Sequence, residues 1–182
     1  MQIQYQLNLD DVAAYNWHHS RNSKAANRTY KLLSAWGILL CLYIASASIE
    51  WSVSSRIIFF LIASAFWLFI YPLFRRKAVE RQARRLYSEG KNRDVIGNHI
   101  FAIDKDGVTE ISDVAESHIA WSGIERIEEN DEYVFLYTGS LSAHIIPKRA
   151  FLSKGEESEF IQLARTYYSD NSDLTIAESS AH

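Results

Sequence analysis

The stretch IIFFLIASAFWLFIYPLFRRKAVERQARR, residues 57–85, decides what kind of protein this chain makes. Residues 57–74 carry no charge, and residues 75–85 carry six Arg or Lys. A second uncharged run of the same 18-residue length, LLSAWGILLCLYIASASI (32–49), precedes it. At about 1.5 Å per residue such a run makes a helix about 27 Å long. A bilayer's hydrocarbon core is about 30 Å thick, so flanking residues complete each crossing. A charge at the centre of a span costs about 2.5–3.5 kcal/mol, and neither run holds one. Helices buried in a soluble protein show a polar face. In the second run Ser64 is the one clearly polar interior residue. Both runs are therefore read as membrane spans.

The gap EWSVSSR (50–56) has room only for a tight connection, so the spans form a hairpin whose ends emerge on one side. Arg21, Lys24, Arg28 and Lys31 precede the first span, and Arg75, Arg76, Lys77, Arg81, Arg84 and Arg85 follow the second. The gap offers only Arg56. The positive-inside rule then predicts that both termini are cytoplasmic. Trp36, Trp51 and Tyr71 fall near span ends, and Trp67 lies deeper, where it is expected to pack on the other helix. Gly37, Cys41 and Ala45 recur every four residues, a spacing that lets backbones approach closely. That stripe serves either the hairpin packing on itself or a homodimer face. Neither span contains Asp, Glu, Lys, Arg or His, the usual marks of ion paths. The hairpin reads as an anchor rather than a transporter.

The net charge of −3 hides a split. Residues 1–85 hold 11 Lys and Arg against 4 Asp and Glu, and residues 86–182 hold 8 against 18. The overall balance argues against a nucleic-acid binder, and the asymmetry suggests two halves with different surroundings. With Cys41 as its sole cysteine, the chain has no intramolecular disulfide and no Cys-based zinc site. The opening MQIQYQLNLD lacks a basic n-region, so no cleavable signal peptide is expected.

Outside the hairpin, Ile3, Tyr5, Leu7 and Leu9 alternate in a strand pattern, and Asp10 or Asp11 stands where a helix N-cap belongs. Val12, Tyr15 and His19 then follow helical spacing. A lone strand is not stable, so the first ten residues are expected to pair with the C-terminal sheet. Residues 75–92 read as a basic juxtamembrane helix, broken by GKN (90–92). Strands are expected at HIFAI (99–103), VTEIS (108–112), HIAW (118–121), IERIEE (124–129), YVFLY (133–137) and SAHII (142–146). Gly107 is placed for positive φ in the DKDG turn, and Pro147 ends the last strand. Ser153 and Glu156 form a capping box ahead of a helix whose apolar face is Phe160, Ile161, Ala164, Tyr167 and Tyr168. The polar tail 169–182 is expected to be disordered. The outline is an α+β protein, a transmembrane hairpin plus a small antiparallel domain over 93–168, closed by a C-terminal helix.

WSGIERIEE (121–129), YVFLY (133–137) and AHIIPKRAF (143–151), followed by a helix, resemble the C-terminal domain of the YcxB-like family. The opening strand, Asp11 and the aromatic helix before the first span are also similar, so the resemblance runs to about residue 168. It implies a bacterial inner-membrane protein with a pleckstrin-homology-like (PH-like) cytoplasmic domain. It implies no reaction and no catalytic residues, and neither cofactor nor metal is expected.

His18 and His19 are adjacent and diverge by about 100° on a helix, which suits one metal poorly. His99, His118 and His144 each lie in an expected strand and form a three-histidine zinc set only if they share a face. The acidic run ERIEENDE (125–132) reads as a solvated edge. Nucleotide-binding glycine loops and the G-x-S-x-G elbow are absent. Lys148 and Arg149, after a strand and a proline, are candidate ligand or partner contacts, or else exposed residues of a turn. The six basic residues from Arg75 to Arg85 are candidate lipid-headgroup contacts. Trp121 and Phe151 are expected core anchors. The favoured function is non-enzymatic: holding the domain at the membrane for an unidentified protein or peptide partner. The alternatives are sensing an anionic lipid surface, or an enzyme with a His or carboxylate site. Membrane lipids and a second copy of the chain are the other partners considered.

Overall fold

The computed structural model describes residues 1–48, 50–88 and 95–179, with side chains to residue 171. The expected break at GKN (90–92), the last residue of the first span and the final three residues lie outside the described residues. Strand β1 (Gln2–Leu7) buries Ile3, Tyr5 and Leu7 on one face, as its alternation requires. It pairs antiparallel with β2 (Gly97–Ile103), Ile3 opposite Phe101 and Tyr5 opposite His99. The pairing expected between the first ten residues and the C-terminal sheet is therefore present. Strands β3 (Gly107–Ser112) and β4 (Glu116–Ala120) complete a four-stranded antiparallel sheet in the order β1-β2-β3-β4. A second antiparallel sheet holds β5 (Arg126–Glu129), β6 (Tyr133–Tyr137) and β7 (Ala143–Pro147) in sequence order. The chain is thus a mixed helix and antiparallel-sheet, α+β, protein.

Both sheets and the last helix fall in one compact unit, Met1–Val12 with Leu86–His182; the other unit is Ala13–Arg85. In the first unit all five residues of β6 are buried. The C-terminal helix α5 (Lys154–Ser179) lays Phe160 5.2 Å from Phe151 and 6.3 Å from Phe101, ring centre to ring centre. Burying a phenylalanine in this way stabilises by about 1.5–3 kcal/mol. Trp121 and Phe151 are buried, as expected of core anchors. Trp121 sits at the corner between β4 and β5, 5.9 Å from the Tyr167 ring, and its indole N–H donates to the Asp104 carbonyl at 2.8 Å.

Four local expectations need correction. The helix N-cap is Asn8, not Asp10 or Asp11: α1 (Leu9–Asn22) begins where the Asn8 Oδ1 accepts from the Asp10 and Asp11 N–H groups. Asp11 completes a capping box by accepting from the Asn8 N–H at 2.9 Å. The second correction concerns Gly107, which has no positive φ; among the described residues that conformation falls at Gly97 (143°). The Asp104 carboxylate turns the chain instead, accepting from the Asp106 and Gly107 N–H groups. Gly107 is needed for close approach, since a Cβ there would lie 2.3 Å from the Ile119 carbonyl oxygen. Third, α5 continues through Ser169 to Ser179, over much of the expected disordered tail; no Gly or Pro after Gly155 interrupts it. Fourth, the Glu156 carboxylate reaches back to the Leu152 N–H rather than to that of Ser153, while Ser153 Oγ accepts from Glu156 N–H as expected.

In the second unit, α2 (Lys24–Ala47) and α3 (Val53–Phe69) pack against each other, with Ser23 and Ser52 as N-caps. Gly37, Cys41 and Ala45 are the buried residues of α2. A Cβ on Gly37 would meet the Trp67 ring at 2.6 Å, so this stripe receives the indole of the other helix. Within the second apolar run α3 gives way at Ile70 to α4 (Tyr71–Ser88), where Pro72 offers no N–H to the preceding turn; Ile70 keeps right-handed helical backbone, so the two run on as one length, Val53–Ser88. Lys24–Ala47 and Val53–Ser88 are long and apolar enough to cross a membrane.

Candidate functional site

Strand alternation brings titratable groups inward at one place. In β2, His99 shares its face with buried Phe101 and Ile103, and in β3, Glu110 shares its face with buried Val108. Glu110 stands opposite Phe101 in the sheet, and β7 of the other sheet brings in His144. The Glu110 carboxylate bridges both imidazoles: Oε1 lies 2.9 Å from His99 Nδ1, and Oε2 lies 2.5 Å from His144 Nδ1. His99 Nε2 is 3.1 Å from the Val95 carbonyl, and Tyr5 stacks on the His99 ring at 5.7 Å. Burial alone would raise the Glu110 pKa, but the contacts with His144 and His99 outweigh it and hold the carboxyl at about 2. Burial works against His99 as well, yet the Glu110 charge raises its pKa above the usual histidine value. The buried Tyr5 phenol is pushed up by burial and then by Glu110. A largely buried carboxylate held between two imidazoles is a candidate functional group.

The cluster borders a cavity of about 410 Å³ lined by both sheets, with Leu7, Ile119, Ala143 and Ile145 among its apolar walls. Glu110 and His144 both line it, and their side chains keep 17% and 11% of their exposure. His144 Nε2 is buried without a hydrogen-bond partner among the described residues, an arrangement that ordinary cores avoid. His118, the third histidine of the expected set, is exposed and pairs with Thr109 on the other face of the sheet. Alternation explains the separation, because Thr109 and Glu110 point to opposite sides. Among the described residues no group of three His, Cys, Asp or Glu is arranged to hold a metal.

Lys148 and Arg149 line a separate cleft of about 510 Å³ together with Tyr133, Lys154 and Glu157. Both are engaged internally. Lys148 Nζ lies 3.1 Å from Glu157 and 3.3 Å from Glu129. Arg149 donates to both oxygens of Asp11, at 2.7 and 2.6 Å, and to the Gln6 carbonyl. Asp11 is 1% exposed and also accepts from the Tyr133 hydroxyl at 2.9 Å. Burial raises the Asp11 pKa, but the bonds from Arg149, Asn8 and Tyr133 bring it below the ordinary carboxylate value; Tyr133 is pushed up to about 12, by burial and by Asp11. The acidic run is likewise paired: Glu128 with Arg126, and Glu129 with Lys148 and Arg165.

The basic helix divides in two. Arg75 turns inward, donating to the Ser20 carbonyl and hydroxyl and lying over the rings of Trp17 and Tyr30. Arg76 pairs with Glu80 one turn on, and Lys77, Arg81, Arg84 and Arg85 are exposed. His18 bonds Asn22, and His19 packs on Tyr15, so the adjacent pair diverges.

Residues 103–164 match the family model described as YcxB-like protein. No curated protein and no solved structure matches the chain. The YcxB-like stretch contains Glu110, His144, Lys148 and Arg149, whereas Tyr5, Asp11 and His99 come from outside it. Histidine spacing pointed to two members of the cluster and missed Glu110. The signal was a carboxylate on the same face as Val108 of a strand.

Proposed function

We propose that the chain is a two-span integral membrane protein that holds a PH-like domain at the cytoplasmic face of a bacterial inner membrane to bind a protein or peptide, without catalysing a reaction. The observation that carries the membrane reading is the surface of α3. No residue of that helix is buried, and Ile57, Ile58, Leu61, Ile62, Phe66 and Phe69 are each more than half exposed. Soluble monomers do not leave such a continuous apolar surface in water. The basic residues flanking the pair favour cytoplasmic termini. Two antiparallel sheets of four and three strands, followed by a C-terminal helix, support the PH-like reading. Strand β4, at a sheet edge with its residues largely exposed, offers unpaired backbone to an extended peptide.

Membrane insertion is tested by alkaline carbonate extraction and by labelling single cysteines on a Cys41→Ser background. Ser54→Cys reacts with an impermeant maleimide in intact spheroplasts, and Ser158→Cys reacts only after lysis. Release by carbonate, or labelling of Ser158→Cys in intact cells, sinks the reading. For the partner, a photo-crosslinking residue at Ser117 on β4 yields one discrete adduct, and the same residue at Ser158 on α5 yields none. Equal, diffuse products at both positions count against peptide binding at the edge.

Exposed Lys77 and Arg81, one turn apart on α4, favour a secondary contact with anionic headgroups, each contributing about 1 kcal/mol near such a surface. Arg75, held by Ser20 and two rings, does not belong to that contact.

A further inference from the structure

We propose that the cavity between the two sheets is a binding site for a small molecule with an apolar body and a primary amine head, the amine bonding to the Glu110 carboxylate. Ser117 and Ile119 of β4 form part of its wall, so it adjoins the peptide edge, but the proposal does not depend on peptide binding there. The volume, about 410 Å³, lies in the range of small-molecule sites, and the walls combine apolar side chains with a few convergent polar groups. Leu7, Ile119, Ala143 and Ile145 supply the apolar surface. Val114 and Ala115, in the turn between β3 and β4, are exposed lining residues that give access from solvent.

The head group follows from the chemistry of Glu110. An ionised carboxylate only accepts, with about four lone-pair sites on two oxygens. His144 bonds one oxygen; His99 Nδ1 lies 2.9 Å from the other without a well-directed hydrogen bond, and the Tyr5 phenol is the other polar neighbour, so lone pairs on the carboxylate remain for a further donor. The side chain is 17% exposed and lines the cavity, so a ligand reaches it without unfolding the cluster. No Lys or Arg lines the cavity among the described residues, and the two imidazoles that do are already turned to Glu110, so an anionic head would meet a carboxylate with no cation left over for it. An amine brings both donors and complementary charge, and such charge-assisted bonds are about twice as strong as neutral ones.

The test uses the full chain in zwitterionic nanodiscs and three probes, tryptamine, phenethylamine and n-hexylamine, with indole-3-acetate as the anionic match for tryptamine. Ligand-observed NMR titration is expected to show saturable binding of at least one amine and none of indole-3-acetate. Ala115→Phe, at an exposed turn position, narrows the entrance and is expected to weaken the amine about tenfold. Glu110→Gln is expected to do the same, with folding verified by the dispersion of the protein's own spectrum. The proposal is overturned if no amine saturates, if indole-3-acetate binds as well as tryptamine, or if amine binding is unchanged in Ala115→Phe. Should Glu110→Gln fail to fold, the Ala115→Phe result and the amine-over-carboxylate preference decide the matter.

Discussion

Replacing Asp11 with alanine tests whether both ends of the chain make one domain. Asp11 lies four residues past β1, is 1% exposed, and holds Tyr133 and Arg149 from the far end of the sequence. Its loss removes three kinds of interaction. The Asn8 N–H loses its capping acceptor, worth about 1 kcal/mol. The hydroxyl of buried Tyr133 loses its acceptor, at about 1–3 kcal/mol. Arg149 is 51% exposed, so water recovers most of its charge, and the ion pair adds no more than about 1 kcal/mol. The expected total is about 3 kcal/mol. For a domain near 100 residues each kcal/mol lowers Tm by about 4 °C or more, so a fall of at least about 12 °C is expected. The assay is thermal melting of the full chain in detergent, followed by 19F NMR of 5-fluorotryptophan at Trp121, a buried residue of the same unit. Double-mutant cycles locate the effect: coupling of Asp11 to Tyr133→Phe exceeds coupling to Arg149→Met. A shift below about 2 °C, or a larger coupling to Arg149, refutes the argument.

Three other outcomes are expected. Gly37→Val drives a side chain into the Trp67 ring, where a Cβ already meets it at 2.6 Å; it lowers the melting temperature in detergent, and Trp67→Ala in the same chain restores part of the loss. Gly107→Ala sets a Cβ 2.3 Å from the backbone oxygen of Ile119, which cannot yield as a side chain does; a loss of about 3 kcal/mol or more is expected, and a melt indistinguishable from wild type contradicts it. Glu110→Gln changes how stability depends on pH. The depressed Glu110 pKa contributes stability above its ordinary 4.5 that is lost as pH falls toward about 2. The raised His99 pKa contributes below its ordinary 6.5 and is lost as pH rises through its folded value. The gap in Tm between wild type and Glu110→Gln is therefore largest between about pH 4.5 and 6.5, and a flat gap from pH 4 to 8 contradicts the cluster.

What the sequence revealed depended on the range of the interaction. Period-two alternation placed Ile3, Tyr5 and Leu7 on one face, and the need to cover them pointed to the C-terminal sheet. Helical period placed Phe160 and Ala164 in the core. Small-residue spacing marked the face of α2 that receives Trp67. Contacts between residues far apart in sequence were illegible. Nothing local shows that Arg149 bonds Asp11 across 138 positions, or that Glu110 in one sheet meets His144 in the other. Two aspartates follow Asn8 and mask it as a cap in the sequence, and only the geometry distinguishes cap from partner.

The ion pairs also constrain what the domain can recognise. Arg126, Lys148, Arg149, Lys154 and Arg165 each contact a carboxylate. These pairs engage five of the 8 basic residues of a segment in which 18 acidic residues already outnumber them. An anionic ligand would have to displace an internal carboxylate or bind against a negative field. A cationic ligand meets neither obstacle, because the excess acidic residues have no basic partner to spare. The preference for an amine at Glu110 and the poor prospects for lipid phosphate on the sheets thus share one cause. The exposed basic residues of α4 up to Arg85 stand in the opposite setting, a segment where 11 basic residues outnumber 4 acidic ones.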